Sequence, residues 1–160
     1  MSLVVISDLR WWHIPEVLTI EADLFGVERW SAAMFWNELA HGHRYRVALD
    51  DGHVVGYAGL AVAGSDEATV QNIAVRRDRQ RQGIGEALLK DILTEADRRG
   101  VRRTILEVAV DNEPAQHLYR RYGFTPAGIR RGYYQPTNTD ALTMVRTAAT
   151  ADGRGNGAGQ

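Results

Sequence analysis

The chain has 160 residues, a formal net charge of −1 at pH 7 and no cysteine. That length suits one domain with a sizeable core, the charge balance excludes a global electrostatic footprint for nucleic acid, and the missing thiol excludes disulfides, cysteine zinc sites and a cysteine nucleophile. No stretch approaches the roughly 18 apolar residues needed to span a bilayer and no basic-then-apolar leader opens the chain, so a soluble cytoplasmic protein with no membrane partner is expected.

Val4-Val5-Ile6 reads as a strand, and Pro15 opens a helical pattern through Val17, Leu18 and Ala22. Ser31 caps a second helix with Met34, Phe35, Glu38 and Leu39. Tyr45–Leu49 and Val54–Ala58 flank Asp50-Asp51-Gly52-His53, which predicts a hairpin. The next strand keeps one parity at Ala68 and Val70, then switches at Ile73 and Val75. A β-bulge near Gln71-Asn72 explains the switch; a strand end is the plainer alternative.

Gln80-Arg81-Gln82-Gly83-Ile84-Gly85 then joins that strand to a helix with its apolar stripe at Leu88, Leu89, Ile92, Leu93 and Ala96, stopped by Gly100. Two glycines before a helix let the backbone bend sharply, approach an anion and present free N–H groups to it. The same pair also serves as a simple tight connection. A third dinucleotide-type glycine is missing at Leu88 and no Gly-Lys-Ser/Thr follows, although Glu107 lies about where a ribose-binding acid would be sought.

Thr104–Val110 is the fifth strand; Asp111 or Asn112 caps a short helix with Pro114 in its first turn and Ala115, Leu118, Tyr119 and Tyr122 on one face. Periodicity alone makes Tyr119 a packing residue. Phe124–Ile129 and Ala141–Val145 complete the sheet around a loop with Tyr133, Tyr134, Pro136 and Asp140. The expected fold is α/β: a mixed, mostly antiparallel sheet with parallel, splayed fourth and fifth strands and helices on both faces. Residues 1–146 form one domain, and 147–160, rich in Ala, Gly and Thr, read as a disordered tail. His41 and His43 have no third ligand in register and read as a loop, so no metal is expected; Trp11, Trp12, Trp30 and Trp36 read as core or substrate-wall residues.

The element order, the parity switch at Asn72-Ile73-Ala74-Val75, the Gln80-x-x-Gly83-x-Gly85 loop and Asn112-x-x-Ala115 leading to Leu118-Tyr119-x-x-Tyr122-Gly123-Phe124 together resemble the Gcn5-related N-acetyltransferases. Leu106-Glu107-Val108 and Arg130-Arg131-Gly132-Tyr133-Tyr134 look closest, within that family, to the branch acting on the N-terminal alanine of a ribosomal protein, S18. The similarity covers residues 4 to 146 and is weakest over Leu24–Trp36.

The resemblance implies acetyl-CoA as co-substrate and a protein N-terminus as acceptor, joined by direct attack in a ternary complex. Backbone N–H groups of Gln82, Gly83, Ile84, Gly85 and Glu86 would take the pyrophosphate, with Arg81 adding charge. The backbone of Ile73, Ala74 and Val75 would pair with the pantothenate arm, helped by Asn112. Glu107 matches the catalytic base, Tyr119 the general acid, and Tyr133 and Tyr134 fall at the acceptor. An α-amine of pKa about 8 is roughly one-tenth neutral at pH 7, a cost of ~1.4 kcal/mol, against ~4.6 kcal/mol for lysine, so a modest carboxylate base suits an N-terminus. The rivals are a lysine or small-molecule acetyltransferase and a non-catalytic acyl-CoA-binding module.

Overall fold

The computed structural model describes residues 3–135 and 137–148. In chain order it contains β1 (Val4–Asp8), α1 (Ile14–Phe25), α2 (Ala32–Ala40), β2 (Arg44–Asp50), β3 (His53–Ala63), β4 (Glu67–Val75), α3 (Ile84–Arg98), β5 (Arg103–Ala109), α4 (Glu113–Arg121), β6 (Phe124–Tyr134) and β7 (Thr139–Thr147). Local chemistry sets the boundaries. Pro15 sits in the first turn of α1, where its missing N–H costs nothing. The Ser31 hydroxyl accepts from the Met34 N–H at 3.3 Å, and Asn112 Oδ1 accepts from the Ala115 N–H at 3.3 Å. Gly100, at φ +73°, follows α3 in the left-handed conformation that stops a helix.

The strands form one sheet in the order β1-β2-β3-β4-β5-β7-β6. Every neighbouring pair is antiparallel except β4 and β5, which are joined through α3. One core cluster packs α3 and α4 residues such as Leu88, Ile92 and Tyr119 against Leu60, Leu106 and Met144. A second cluster packs Val17, Ile20 and Phe35 of α1 and α2 against Val47, Tyr57 and Ala74. The two clusters occupy opposite faces of the sheet, as the expected fold class requires.

The expected bulge is present: Gly59 pairs with Asn72 while Leu60 pairs with Val70, which leaves Gln71 as the extra residue. Accordingly Ala68 and Val70 belong to the α3 cluster, Ile73 and Val75 pack against it, and Ala74 has moved to the α1 cluster.

Three expectations are corrected. Tyr133 and Tyr134 end β6, with Tyr134 opposite Thr139, and Asp140 belongs to β7, so they are not loop residues. Thr147 pairs with Arg103 and the Ala148 N–H donates to the Arg102 carbonyl at 2.8 Å; residues 149–160 of the expected tail lie outside the described residues. Among the tryptophans only Trp30 packs against the core, whereas Trp11, Trp12 and Trp36 are about half exposed.

Candidate active site

β4 and β5 pair only from Glu67↔Arg103 to Thr69↔Ile105 and then part. The splay opens a cleft of about 890 Å³ bounded on its far sides by the α1–α2 connection and the end of β6. Beyond Thr69 the β5-facing side of β4 has no ladder partner, so the bulge and the strand after it turn unpaired main chain toward the gap. The bulge is held from beneath. The Tyr45 phenol, pushed up from its ordinary pKa by burial, shares its proton between Gln71 Oε1 at 2.7 Å and Asn72 Oδ1 at 2.9 Å. Its ring lies over Gly59, where any Cβ would collide with it.

Where β4 ends, Arg81 and Gly83 take left-handed backbone at φ +63° and +83°. Gly83 is the N-cap of α3, and the first intrahelical bond runs from the Ala87 N–H to the Gly83 carbonyl at 3.0 Å. The N–H groups just before Ala87 therefore have no acceptor inside the helix and carry the positive end of its dipole. A Cβ built on Gly83 meets nothing within 4 Å, and one on Gly85 meets only Val75 Cγ2 at 3.5 Å. Open space above an N–H-rich turn fits an anion, and side-chain pairing fits it further. Arg76, Arg77 and Arg79 are tied to Asp78, Asp23 and Asp50, while exposed Arg81 has no carboxylate partner among the described residues. Ile84 sends its side chain into the core, and the Glu86 carboxylate accepts from Tyr122 Oη at 2.8 Å and Arg121 at 3.0 Å. Both residues offer the loop their main chain alone.

Glu107 and Tyr119 reach the cleft from β5 and α4, and Asn112, Ile73, Tyr133 and Tyr134 line it with them. Ala74 and Val75 lead from this cleft to the glycine loop. Thr143 Oγ1 donates to Glu107 Oε2 at 2.7 Å and Arg130 Nη1 donates to Oε1 at 3.2 Å, so neighbours on β7 and β6 fix the carboxylate's direction. The Arg130 guanidinium also lies 4.9 Å from the centre of the Tyr133 ring. Tyr119 is 6% exposed; burial, and secondarily Tyr134, push its phenol above the ordinary value, so it stays protonated. Its hydroxyl makes no hydrogen bond among the described residues, which leaves the proton for whatever enters the cleft. Tyr134 is pushed up to about 12 by burial first, then by Tyr133, Glu107 and Glu28. Tyr133 and Tyr134 stack edge-on at 5.0 Å.

Two cleft residues were not expected from the sequence. Glu21, 1% exposed, accepts from Tyr57 Oη at 2.6 Å and the Trp30 N–H at 2.9 Å, and Asn72 Nδ2 lies 3.5 Å away. A readable signal existed, since Glu21 falls on the buried stripe of α1 with Val17 and Ile20. Glu28 lines the cleft from the 3₁₀ turn Gly26–Glu28, a stretch with no periodicity to read.

Residues 7–124 match the family model described as the acetyltransferase (GNAT) family. The chain is 43% identical over 132 residues to the N-alpha-acetyltransferase RimI of Mycobacterium tuberculosis, covering 79% of this chain and 82% of that protein. It is 39% identical over 142 residues to the ribosomal protein bS18-alanine N-acetyltransferase of Escherichia coli, covering 88% and 95%. The crystal structure of the Escherichia coli ribosomal-protein-S18-alanine N-acetyltransferase superimposes with a TM-score of 0.84 at 34% identity, over 93% of this chain and 96% of that one. With the family model spanning most of the chain and relatives of this identity and coverage, the chain belongs to the acetyltransferase (GNAT) family.

Proposed function

We propose that this protein transfers the acetyl group of acetyl-CoA to the α-amine of a protein N-terminus, the N-terminal alanine of ribosomal protein S18 being the acceptor named for its relatives. The observation that carries the reading is the meeting of Glu107 and Tyr119 in the cleft that opens where β4 and β5 part. The main chain from Gln71 to Val75 spans about 13 Å of extended strand and ends beside the glycine loop, a run suited to an extended diamide arm whose pyrophosphate sits on the first turn of α3.

Each side chain then has one task. Glu107, oriented by Thr143 and Arg130, takes the proton that the acceptor ammonium must lose, directly or through water. The neutral amine attacks the thioester carbonyl, a C–N bond forms and the C–S bond breaks, and the second proton leaving the nitrogen passes through water to restore the Tyr119 phenol. Tyr119 gives its proton to the departing sulfur. Asn112 caps α4 through Oδ1 and keeps its amide N–H groups for the arm. No side chain needs to carry the acyl group.

Mass spectrometry on a peptide panel tests the reading. A peptide with a free N-terminal alanine should gain one acetyl group and release one CoA. Acetylation only of lysine side chains, or binding of acetyl-CoA without turnover on any peptide, would overturn it.

A further inference from the structure

One carboxylate in the core has no cation to answer it. Glu21 is 1% exposed, lies on the stripe of α1 that also buries Val17 and Ile20, and pairs with no lysine, arginine or histidine among the described residues. Burying such a group costs free energy that an apolar residue at the same helical position would not incur. Three neutral donors answer it instead, each from a different part of the chain: Tyr57 Oη of β3 at 2.6 Å, the Trp30 N–H of the α1–α2 connection at 2.9 Å and Asn72 Nδ2 of β4 at 3.5 Å. Packing alone does not call for this arrangement.

The third contact leads to the reacting end of the cleft. Asn72 follows Gln71, the extra residue of the bulge, and its amide is held at both ends, Oδ1 by Tyr45 Oη at 2.9 Å and Nδ2 by Glu21. Gln71, Asn72 and Ile73 line the cleft together with Glu107 and Tyr119, whereas Ala74 and Val75 do not, so the bulge is the part of β4 that faces the reacting thioester. On the β5 side the bulge has no ladder partner. Its main chain therefore takes its position from β3 and from the side-chain bonds beneath it.

We infer that Glu21 is a positioning residue for acyl transfer: by holding the Asn72 amide it sets the bulged main chain of β4 against the thioester carbonyl in the cleft shared by Glu107 and Tyr119. This rests on the acetyl-transfer reading above. Glu21 acts through Asn72 and touches no reacting atom. Main-chain donors fixed in advance stabilise the charge that develops on the carbonyl oxygen, and a displacement of about 1 Å is enough to cost about 10²-fold in rate.

The test compares the wild type, Glu21→Gln, Asn72→Asp and the double variant. It reads kcat on a peptide with a free N-terminal alanine, CoA affinity by calorimetry, the infrared carbonyl stretch of bound carbonyl-labelled acetyl-CoA, and thermal melts. Glu21→Gln sets a donor against a donor and Asn72→Asp sets a carboxylate against a carboxylate; the double change puts a donor opposite an acceptor again. In each single variant kcat should fall by roughly 10–100-fold, and the carbonyl stretch should rise as the bulge loses its hold on that oxygen. CoA, which lacks the acetyl group and rests on the glycine loop, should bind nearly as before. The double variant should recover part of both losses. A folded Glu21→Gln protein with wild-type kcat and stretch overturns the inference, as does a fall in kcat with the stretch unmoved, or a double variant slower than either single one. Should Glu21→Gln fail to fold, Asn72→Asp, which keeps the bonds of Glu21 to Tyr57 and Trp30, decides by the same measures. If the wild type acetylates no peptide, the peptide-acceptor reading falls, and the carbonyl stretch still decides the role of Glu21.

Discussion

Along β4 and the first turn of α3 the cleft and its extension present main chain, whereas along Gly26–Glu28 and the end of β6 they present carboxylates and phenols. The first region is made by a bulge, two glycines and a helix terminus, and it suits features common to any acyl-CoA. The second is made by side chains, those of Glu28, Tyr133 and Tyr134. Glu107 and Tyr119 stand between the two. One scaffold can thus keep its donor while its acceptor changes, because the two recognitions use different parts of the polypeptide.

The largest effect expected is at Tyr119. Tyr119→Phe keeps the ring in its place beside Phe124, 5.9 Å away, and removes only the proton donor. Acetyl-CoA affinity should hold while kcat falls by roughly 10²–10⁴, and an acetyl donor with a better leaving thiol should recover part of the loss. Wild-type turnover would return Tyr119 to a packing role. Glu107→Gln comes next, with a loss of about 10² that depends on pH. Below the α-amine's pKa of about 8 the acceptor is mostly protonated and the base is needed; above it the deficit should shrink. A deficit constant across the pH–rate profile would make Glu107 a positioning group, part of the side-chain region.

The same contrast governs how much the sequence reveals. The bulge in β4 is legible because Gln71 and Asn72 interrupt an apolar alternation whose parity then shifts. A second irregularity, where Ala48 pairs with Gly56 but Leu49 with Val54, is invisible because β3 is buried on both faces and reads as continuous apolar sequence. Tyr133 and Tyr134 read as loop because glycine and proline nearby suggest a turn, while the pairing of Tyr134 with Thr139 depends on the distant β7. The glycine loop is local chemistry and therefore readable. Glu28 and the Thr143–Glu107–Arg130 contacts join elements far apart in sequence, and no local pattern marks them.

Gly85→Ala sharpens the distinction at moderate cost. Alanine inside a helix is favoured over glycine by ~0.5–1 kcal/mol, and the new Cβ has 3.5 Å to Val75, so the protein should melt slightly higher. If the space above that turn takes the pyrophosphate, the same methyl should weaken acetyl-CoA binding by about tenfold, readable by calorimetry. Gly83→Val adds a backbone penalty of roughly 1–2 kcal/mol, since a β-branched residue must hold φ +83°. Higher stability with unchanged affinity in Gly85→Ala would detach the loop from the ligand.

The smallest effect on activity should come from Glu95, at the other end of α3. Its carboxylate accepts from Arg98 at 2.6 Å and Arg99 at 2.9 Å, and Arg44 of β2 lies 3.7 Å away. The hydrogen bond from Arg98, then that from Arg99 and the charge of Arg44, outweigh burial and hold its pKa down at about 2. A carboxyl whose folded pKa is depressed binds fewer protons folded than unfolded across the interval between the two values. It therefore adds stability that is complete above the unfolded value of about 4.5 and is lost as pH falls toward 2. Glu95→Gln removes that contribution: its melting temperature should lie below the wild type's at pH 7, and the gap should close as pH drops from about 4.5 to 2. Neutral-pH kcat/KM should not change, because the first turn of α3, three turns away, is built by Gly83 and the loop rather than by this anchor. A melting gap that stays constant with pH would mean lost packing instead of lost charge pairing. Weakened acetyl-CoA binding in a folded Glu95→Gln protein would show that the main-chain region depends on side chains that anchor α3, and the division between the two regions would fail there.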